Sequence, residues 1–175
     1  MLQNCTVIEG SLQIVLFESK VDFSRFQFPR LREITDYLFF YRIKYLKSLG
    51  QLFPNLSVIR GQNLFNDRYA FVAFDVEHLE DLGLASLTHI EHGAVRIDKN
   101  PNLCYLESIN WNLIVNESYI DDNFINKVKF EGDCNEKCPR TDKGLALCRL
   151  QDDKSGRRLC WNDKHCQIDF SSAQG

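Results

Sequence analysis

Neither glycine-rich pattern that cradles phosphate, G-x-x-x-x-G-K-[ST] or G-x-G-x-x-G, occurs in these 175 residues, which argues against a nucleotide site. No uncharged run approaches the roughly 18 residues needed to cross a bilayer. The greasiest stretch, Tyr37 to Phe40, soon meets Arg42 and Lys44, so no membrane span is expected. A signal peptide is missing too: Met1-Leu2-Gln3-Asn4 has no basic start or apolar h-region and runs straight into a strand-like segment. Either the protein is cytosolic, or the sequence is an excerpt of something longer. Charge of one sign is also scarce, with 21 basic and 24 acidic side chains leaving a net −3. No stretch gathers Lys and Arg beside exposed aromatics, so a nucleic-acid role is not expected. A catalytic constellation is lacking as well. His89 and His92 bracket Glu91, but a zincin needs H-E-x-x-H on a helix, and this segment reads as a strand-turn junction. Glu77, Glu80 and Asp81 read as solvated or helix-terminal carboxylates, since nothing marks a pocket that would raise one pKa. No enzyme activity and no cofactor is expected of these residues.

What is present points to a folded domain, an excerpt of a secreted or membrane-anchored protein. The 44% apolar share, with 13 Phe and 6 Tyr, is far from the composition of disordered chains. The length suits one domain with a small appendage. Five of the seven cysteines, Cys134, Cys138, Cys148, Cys160 and Cys166, crowd into the last quarter of the chain, while Cys5 and Cys104 lie apart. Such a polar tail cannot bury a core of its own and suits disulfides formed in an oxidising compartment. Cys134, Cys138, His165 and Cys166 could instead ligate zinc, but the spacing C-x3-C-x9-C-x11-C-x5-C lacks paired close knuckles, so no metal is expected. Three sequons, at Asn4, Asn55 and Asn116, agree with secretion. The odd cysteine suits an excerpt, because a lone extracellular thiol usually has a partner elsewhere.

A repeat runs through the first hundred residues. Segments around Ile8, Ile34, Ile59 and Ile90 align with one another, and these isoleucines are 26, 25 and 31 residues apart. Phe-Pro-x-Leu opens two of the units, at Phe28 to Leu31 and at Phe53 to Leu56, with proline fixing the approach and the leucine pointing inward. A Gly or Asp follows each isoleucine after a short interval and lets the backbone bend. In the next strand Leu12, Ile14 and Leu16 share one parity, matched by Leu38 with Phe40, Phe71 with Ala73, and Val95 with Ile97. This parity is expected inside. Units that cannot bury an apolar face alone must stack, so a β-rich solenoid is predicted. Leucine-rich repeats are the nearest competitor, but their Leu/Asn frame is missing. Apolar residues at helical spacing from Ser108 to Val115 predict a helix closing the stack, with Trp111 as a core or cap residue. A module boundary is placed near residue 133, dividing the chain into 1–133 and a disulfide-rich 134–175.

The opposite parity is unusual. Gln13 with Val15, Phe39 with Tyr41, Val72 with Phe74, and Arg96 with Asp98 should line the outside of one sheet, with Phe65 and Tyr69 beside them. Aromatic residues exposed in this way mark a protein-binding surface.

Several phrases then carry a family resemblance: Asn4-Cys-Thr-Val-Ile-Glu-Gly10, Phe28-Pro-Arg-Leu-Arg-Glu-Ile-Thr-Asp-Tyr37, Leu52-Phe-Pro-Asn-Leu-Ser-Val-Ile-Arg-Gly61, and Gly93-Ala-Val-Arg-Ile-Asp-Lys-Asn100 followed by Leu103-Cys-Tyr105. They resemble the first L domain of the insulin and insulin-like growth factor receptors. The tail from Cys134 to Gln167 resembles the opening of that family's furin-like cysteine-rich region. The EGF receptor family shares the L domain, but Thr-Asp-Tyr and Phe-Pro-Asn-Leu are closer to the insulin branch. The resemblance implies a right-handed β-helix, leucine-rich-repeat-like in its stacking, followed by a small disulfide-rich module. It implies an extracellular domain that binds an insulin-family peptide hormone together with a helical segment from elsewhere in the same receptor. Carried over by position, the ligand-binding residues are Gln13, Val15, Phe39, Tyr41, Phe65, Tyr69, Val72, Phe74, Arg96 and Asp98. The implied disulfides are Cys104–Cys134, Cys138–Cys160 and Cys148–Cys166, leaving Cys5 unpaired because the N-terminal cap segment that would supply its partner is missing. Two departures bear on ligand choice: Tyr41 replaces a phenylalanine, and Asn66-Asp67-Arg68 adds a residue and charge beside Phe65, where the family has a second phenylalanine. Any tyrosine kinase activity would belong to a distant intracellular part. Two other functions fit the same residues, a soluble decoy that sequesters hormone and a structural or dimerisation domain without hormone.

Overall fold

The computed structural model describes residues 3–127 and 134–169. The boundary expected near residue 133 therefore lies outside the described residues. Among the described residues nine short strands form two sheets, and every pairing between neighbouring strands is parallel. The four-stranded sheet holds β1 (Val7–Ile8), β3 (Glu33–Ile34), β5 (Val58–Ile59) and β7 (His89–Ile90) in that order. The five-stranded sheet holds β2 (Leu12–Phe17), β4 (Leu38–Ile43), β6 (Tyr69–Val76), β8 (Ala94–Asp98) and β9 (Phe124–Ile125). Successive passes of the chain thus add one strand to each sheet, as the repeat requires.

Register explains the isoleucine spacing. Ile8 lies beside Ile34, Ile34 beside Ile59, and Ile59 beside Ile90, forming one column. In the larger sheet Leu12, Leu38, Phe71 and Val95 form a second column, and Ile14, Phe40, Ala73 and Ile97 a third. All three columns meet in one hydrophobic core. Each buried aliphatic side chain contributes about 1.5–3 kcal/mol relative to exposure. The Phe-Pro motif adds a rung of its own, since Phe28 and Phe53 stack with ring centroids 5.2 Å apart and Leu31 and Leu56 are fully buried.

Two expectations need correction. Leu16 does not share the inward parity, being 59% exposed. Its φ of 61° is left-handed, and the aligned positions Arg42, Asp75 and Lys99 have φ of 52°, 56° and 55°. One left-handed residue in each pass breaks the alternation, so the next residue turns inward instead, as Ile43 and Val76 do. The helix expected from Ser108 to Val115 is a single 3-10 turn over Trp111–Leu113. The Asn110 side chain caps it by accepting from the Asn112 backbone N–H at 3.1 Å, and Val115 is drawn into a parallel bridge with Ile90. Extension of the four-stranded ladder wins over helix propagation, which is weak in so short a segment.

The cysteine-rich tail closes on this stack. Disulfides join Cys104 to Cys134, Cys138 to Cys160 and Cys148 to Cys166, while Cys5 is free. Trp161, flanked by the cross-linked Cys160, is fully buried in the main core and meets Trp111 edge-on at 5.9 Å. The next residue, Asn162, donates to the Asp81 carboxylate at 3.3 Å, which also accepts from Ser48 Oγ at 2.6 Å.

Asp81 therefore differs from the solvated carboxylate expected of it. Burial raises its pKa above the ordinary value, overcoming the hydrogen bonds from Ser48 and Asn162, and the nearby Asp163 and Glu80 charges push the same way. Glu77 and Glu80 do behave as solvated groups, exposed and paired with Lys44 and Lys47. A carboxyl whose folded-state pKa is raised costs stability when ionised. The cost is absent below the usual carboxylate range and grows as pH rises through the folded-state value. Asp81→Asn is thus expected to raise the thermal midpoint at neutral pH and to change it little in acid below the carboxylate range. Thermal scans at the two pH values check this; an equal shift at both would contradict it.

Candidate ligand-binding face

The outer face of the five-stranded sheet follows from the same register. Gln13, Phe39, Val72, Arg96 and Phe124 form one outward row, and Val15, Tyr41, Phe74 and Asp98 form the next. Phe39 stacks on Phe65 at 4.4 Å, lies 6.2 Å from Tyr41, and Tyr41 lies 5.8 Å from Phe74. Phe39, Tyr41, Phe65, Val72, Phe74 and Arg96 line a shallow depression of about 350 Å³.

This face is not uniformly exposed, contrary to expectation. Tyr69 is 8% exposed, Val72 2% and Asp98 7%. Tyr69, Val72 and Ala94 form a second, smaller hydrophobic cluster, covered by Phe39, Phe65 and Phe74, which are themselves half-buried. The rings thus roof the sheet, and Val72 and Tyr69 support the surface from beneath it. Gln13 and Val15 stand at the far edge on β2, where Gln13 Nε2 donates to the Tyr37 hydroxyl at 2.6 Å and Tyr37 meets Phe65 edge-on at 5.9 Å.

Arg96 organises the other side. Its guanidinium lies 5.9 Å from the Tyr69 ring centre, 5.5 Å from Phe74 and 5.4 Å from Phe124, and pairs with Asp98 at 3.3 Å. The Asp98 carboxylate also accepts from Asn126 Nδ2 at 2.9 Å, so this buried charge is paired and hydrogen-bonded as burial demands. Lys99 Nζ sits 5.3 Å from the Phe74 ring centre. Such cation–π contacts hold the rings in place while leaving positive charge at the rim.

Sequence reasoning missed Phe124 and Tyr37. Phe124 is 47% exposed and extends the Arg96 row onto β9. Its signal was a two-residue alternation, Phe124 outward and Ile125 packed on the core, too short to read as a strand.

Phe65 is presented by a turn. Asn66 and Asp67 have φ of 50° and 53°, Arg68 N–H donates to the Phe65 carbonyl at 3.1 Å, and Phe65 and Tyr69 pair antiparallel. Two left-handed residues in succession form a type I′ turn, which Asn and Asp tolerate better than other non-glycine residues. Asn66 and Asp67 are residue types that this turn favours. Asn66→Val is expected to cost about 1–2 kcal/mol of stability through left-handed strain, and Asn66→Gly to be close to neutral. Urea unfolding of the two variants separates them; equal midpoints would contradict the turn assignment.

A family model described as the receptor L domain matches residues 4–115. An insulin-like peptide receptor of Branchiostoma lanceolatum is 47% identical over 168 residues, covering 95% of this chain and 12% of the relative. An insulin receptor of Xenopus laevis is 47% identical over 174 residues, with the same coverage. A putative receptor for molluscan insulin-related peptides from Lymnaea stagnalis is 46% identical over 168 residues, covering 95% of this chain and 9% of the relative. The chain thus spans 9–12% of the length of these relatives.

Proposed function

The chain belongs to the receptor L domain family, and from that premise we propose that it binds an insulin-family peptide hormone on the ring-bearing face of its five-stranded sheet. The observation that carries this reading is the roof of Phe39, Tyr41, Phe65 and Phe74 on the outward side of β4, β6 and the turn before β6. Aromatic rings held rigid by neighbours supply contact area at little entropic cost, and hot spots of protein interfaces are of this kind. Arg96 and Lys99 add charge at one rim, suited to fixing the register of a partner more than to supplying affinity. Gln13, Val15, Tyr69, Val72 and Asp98 complete the proposed set, the last three by supporting the surface. The names of the relatives, an insulin-like peptide receptor and an insulin receptor among them, supply the ligand class.

The same reading includes an extracellular setting, other segments of the same receptor completing the site, and a right-handed β-helix, the hand that parallel crossover connections almost always take. It also includes a modular boundary close to residue 133. No catalytic step is assigned to these residues. Capture on an immobilised insulin-family peptide tests the function. Saturable binding that free peptide competes away is expected; no retention at high peptide density would contradict the proposal.

A further inference from the structure

Asn116, of the three sequon asparagines, is held on a rigid support with its amide nitrogen unengaged. Its backbone N–H donates to the Ile90 carbonyl at 3.1 Å, and the Ile90 N–H donates to the Ile114 carbonyl at 2.8 Å. Residues 114–116 thus cover the edge of β7, the last strand of the four-stranded sheet, and are themselves its outermost rung. The Asn116 side-chain oxygen accepts from the Ser118 backbone N–H at 3.0 Å, and the residue is exposed. Among the described residues its Nδ2 has no hydrogen-bond partner, whereas Asn55 Nδ2 donates to the Pro29 carbonyl at 2.7 Å.

The ground around Asn116 needs cover. A depression of about 410 Å³ opens beside it, lined by residues 89–92 and 113–116, with Leu113 exposed at its margin. His92 and Tyr119 meet edge-on nearby at 6.2 Å. The outer side of that 114–116 rung, beside exposed apolar surface, invites pairing with another chain. Bulky, solvated sugar at a surface asparagine prevents that by excluded volume.

We propose that Asn116 carries an N-linked oligosaccharide that shields the outer edge of the four-stranded sheet. In the transfer, Nδ2 bonds to the anomeric carbon of a lipid-linked sugar diphosphate. The bond from that carbon to the phosphate oxygen breaks, the lipid diphosphate leaves, and one amide proton passes to the transferase. The ring-bearing face belongs to the other sheet, so this sugar leaves it open. The inference rests on the extracellular setting in the proposed function and not on hormone binding.

The test uses the chain secreted from a eukaryotic host. Enzymatic release of N-glycans in heavy-oxygen water, followed by peptide mass spectrometry, is expected to mark Asn116. An unmarked Asn116 beside marked Asn4 or Asn55 overturns this inference alone; no mark at any of the three overturns it together with the extracellular setting. Ser118→Ala removes the sequon while keeping the Asn116 side chain and its backbone hydrogen bond. Sedimentation velocity is expected to show that variant self-associating with concentration while the parent stays monomeric. A variant that stays as monomeric as the parent overturns the shielding role.

Discussion

Replacing Trp161 with alanine is expected to destabilise the chain by about 3–5 kcal/mol, the range for deleting a large buried aromatic side chain. Single domains have only about 5–15 kcal/mol in all, so the loss approaches the threshold of folding. The reason is location: Trp161 comes from the cysteine-rich tail but is fully buried against Trp111 in the main core. The cavity would open where the last pass of the coil is closed. The backbone there is tied by Cys160 N–H to the Ser108 carbonyl at 2.9 Å and by Ser108 Oγ to the Cys160 carbonyl at 2.8 Å, so collapse into the space is restricted. Trp161→Phe should cost less, since it keeps an edge-on ring and removes an indole N–H without a partner among the described residues. Urea unfolding with the disulfides intact gives both values. A loss below about 1 kcal/mol for the alanine variant would show that the tail packs on the stacked sheets without stabilising them.

Phe39→Ala and Phe74→Ala are each expected to weaken hormone binding by about 2–4 kcal/mol, roughly 30-fold to 1000-fold, with only a small change in the thermal midpoint. Phe39 joins the rings of Phe65 and Tyr41, so its removal also frees Phe65 to move. Phe74 holds the contacts to Arg96 and Lys99. Neither ring belongs to the main core, which is why binding and stability should separate. Calorimetric titration with an insulin-family peptide checks both variants. Tyr45→Ala is the control: Tyr45 is exposed and stacks on His78 at 4.9 Å, away from the ring cluster. Equal affinity in parent and ring variants would remove the assignment.

How much of this was legible in the sequence depends on whether a signal is periodic. Ile8, Ile34, Ile59 and Ile90 recur because stacked passes share one core, and the outward parity of Phe39, Tyr41 and Phe74 follows from strand alternation alone. Leu16 broke the rule because a left-handed leucine carries no compositional mark, unlike the Asn66-Asp67 pair. Val72 has the outward parity yet is buried, since parity says which way a side chain points and not what lies over it, and Tyr69 shares the numerical parity of inward Phe71 but joins the outer cluster through the register shift between them. Trp161 was hidden by its setting, a polar and cysteine-rich segment with nothing periodic to tie it to a distant core. Asp81 accepts a hydrogen bond from Asn162, eighty-one residues away in sequence, a contact that no local pattern encodes.

Hydroxyl-radical footprinting with and without bound peptide reports side chains one at a time, and so shows which face of the five-stranded sheet the peptide covers. A saturating insulin-family peptide is expected to slow oxidation of Phe39, Tyr41, Phe65 and Phe74 and to leave Phe26 and Tyr45 unchanged. Protection of Phe26 and Tyr45 with the four rings still reactive would contradict this expectation.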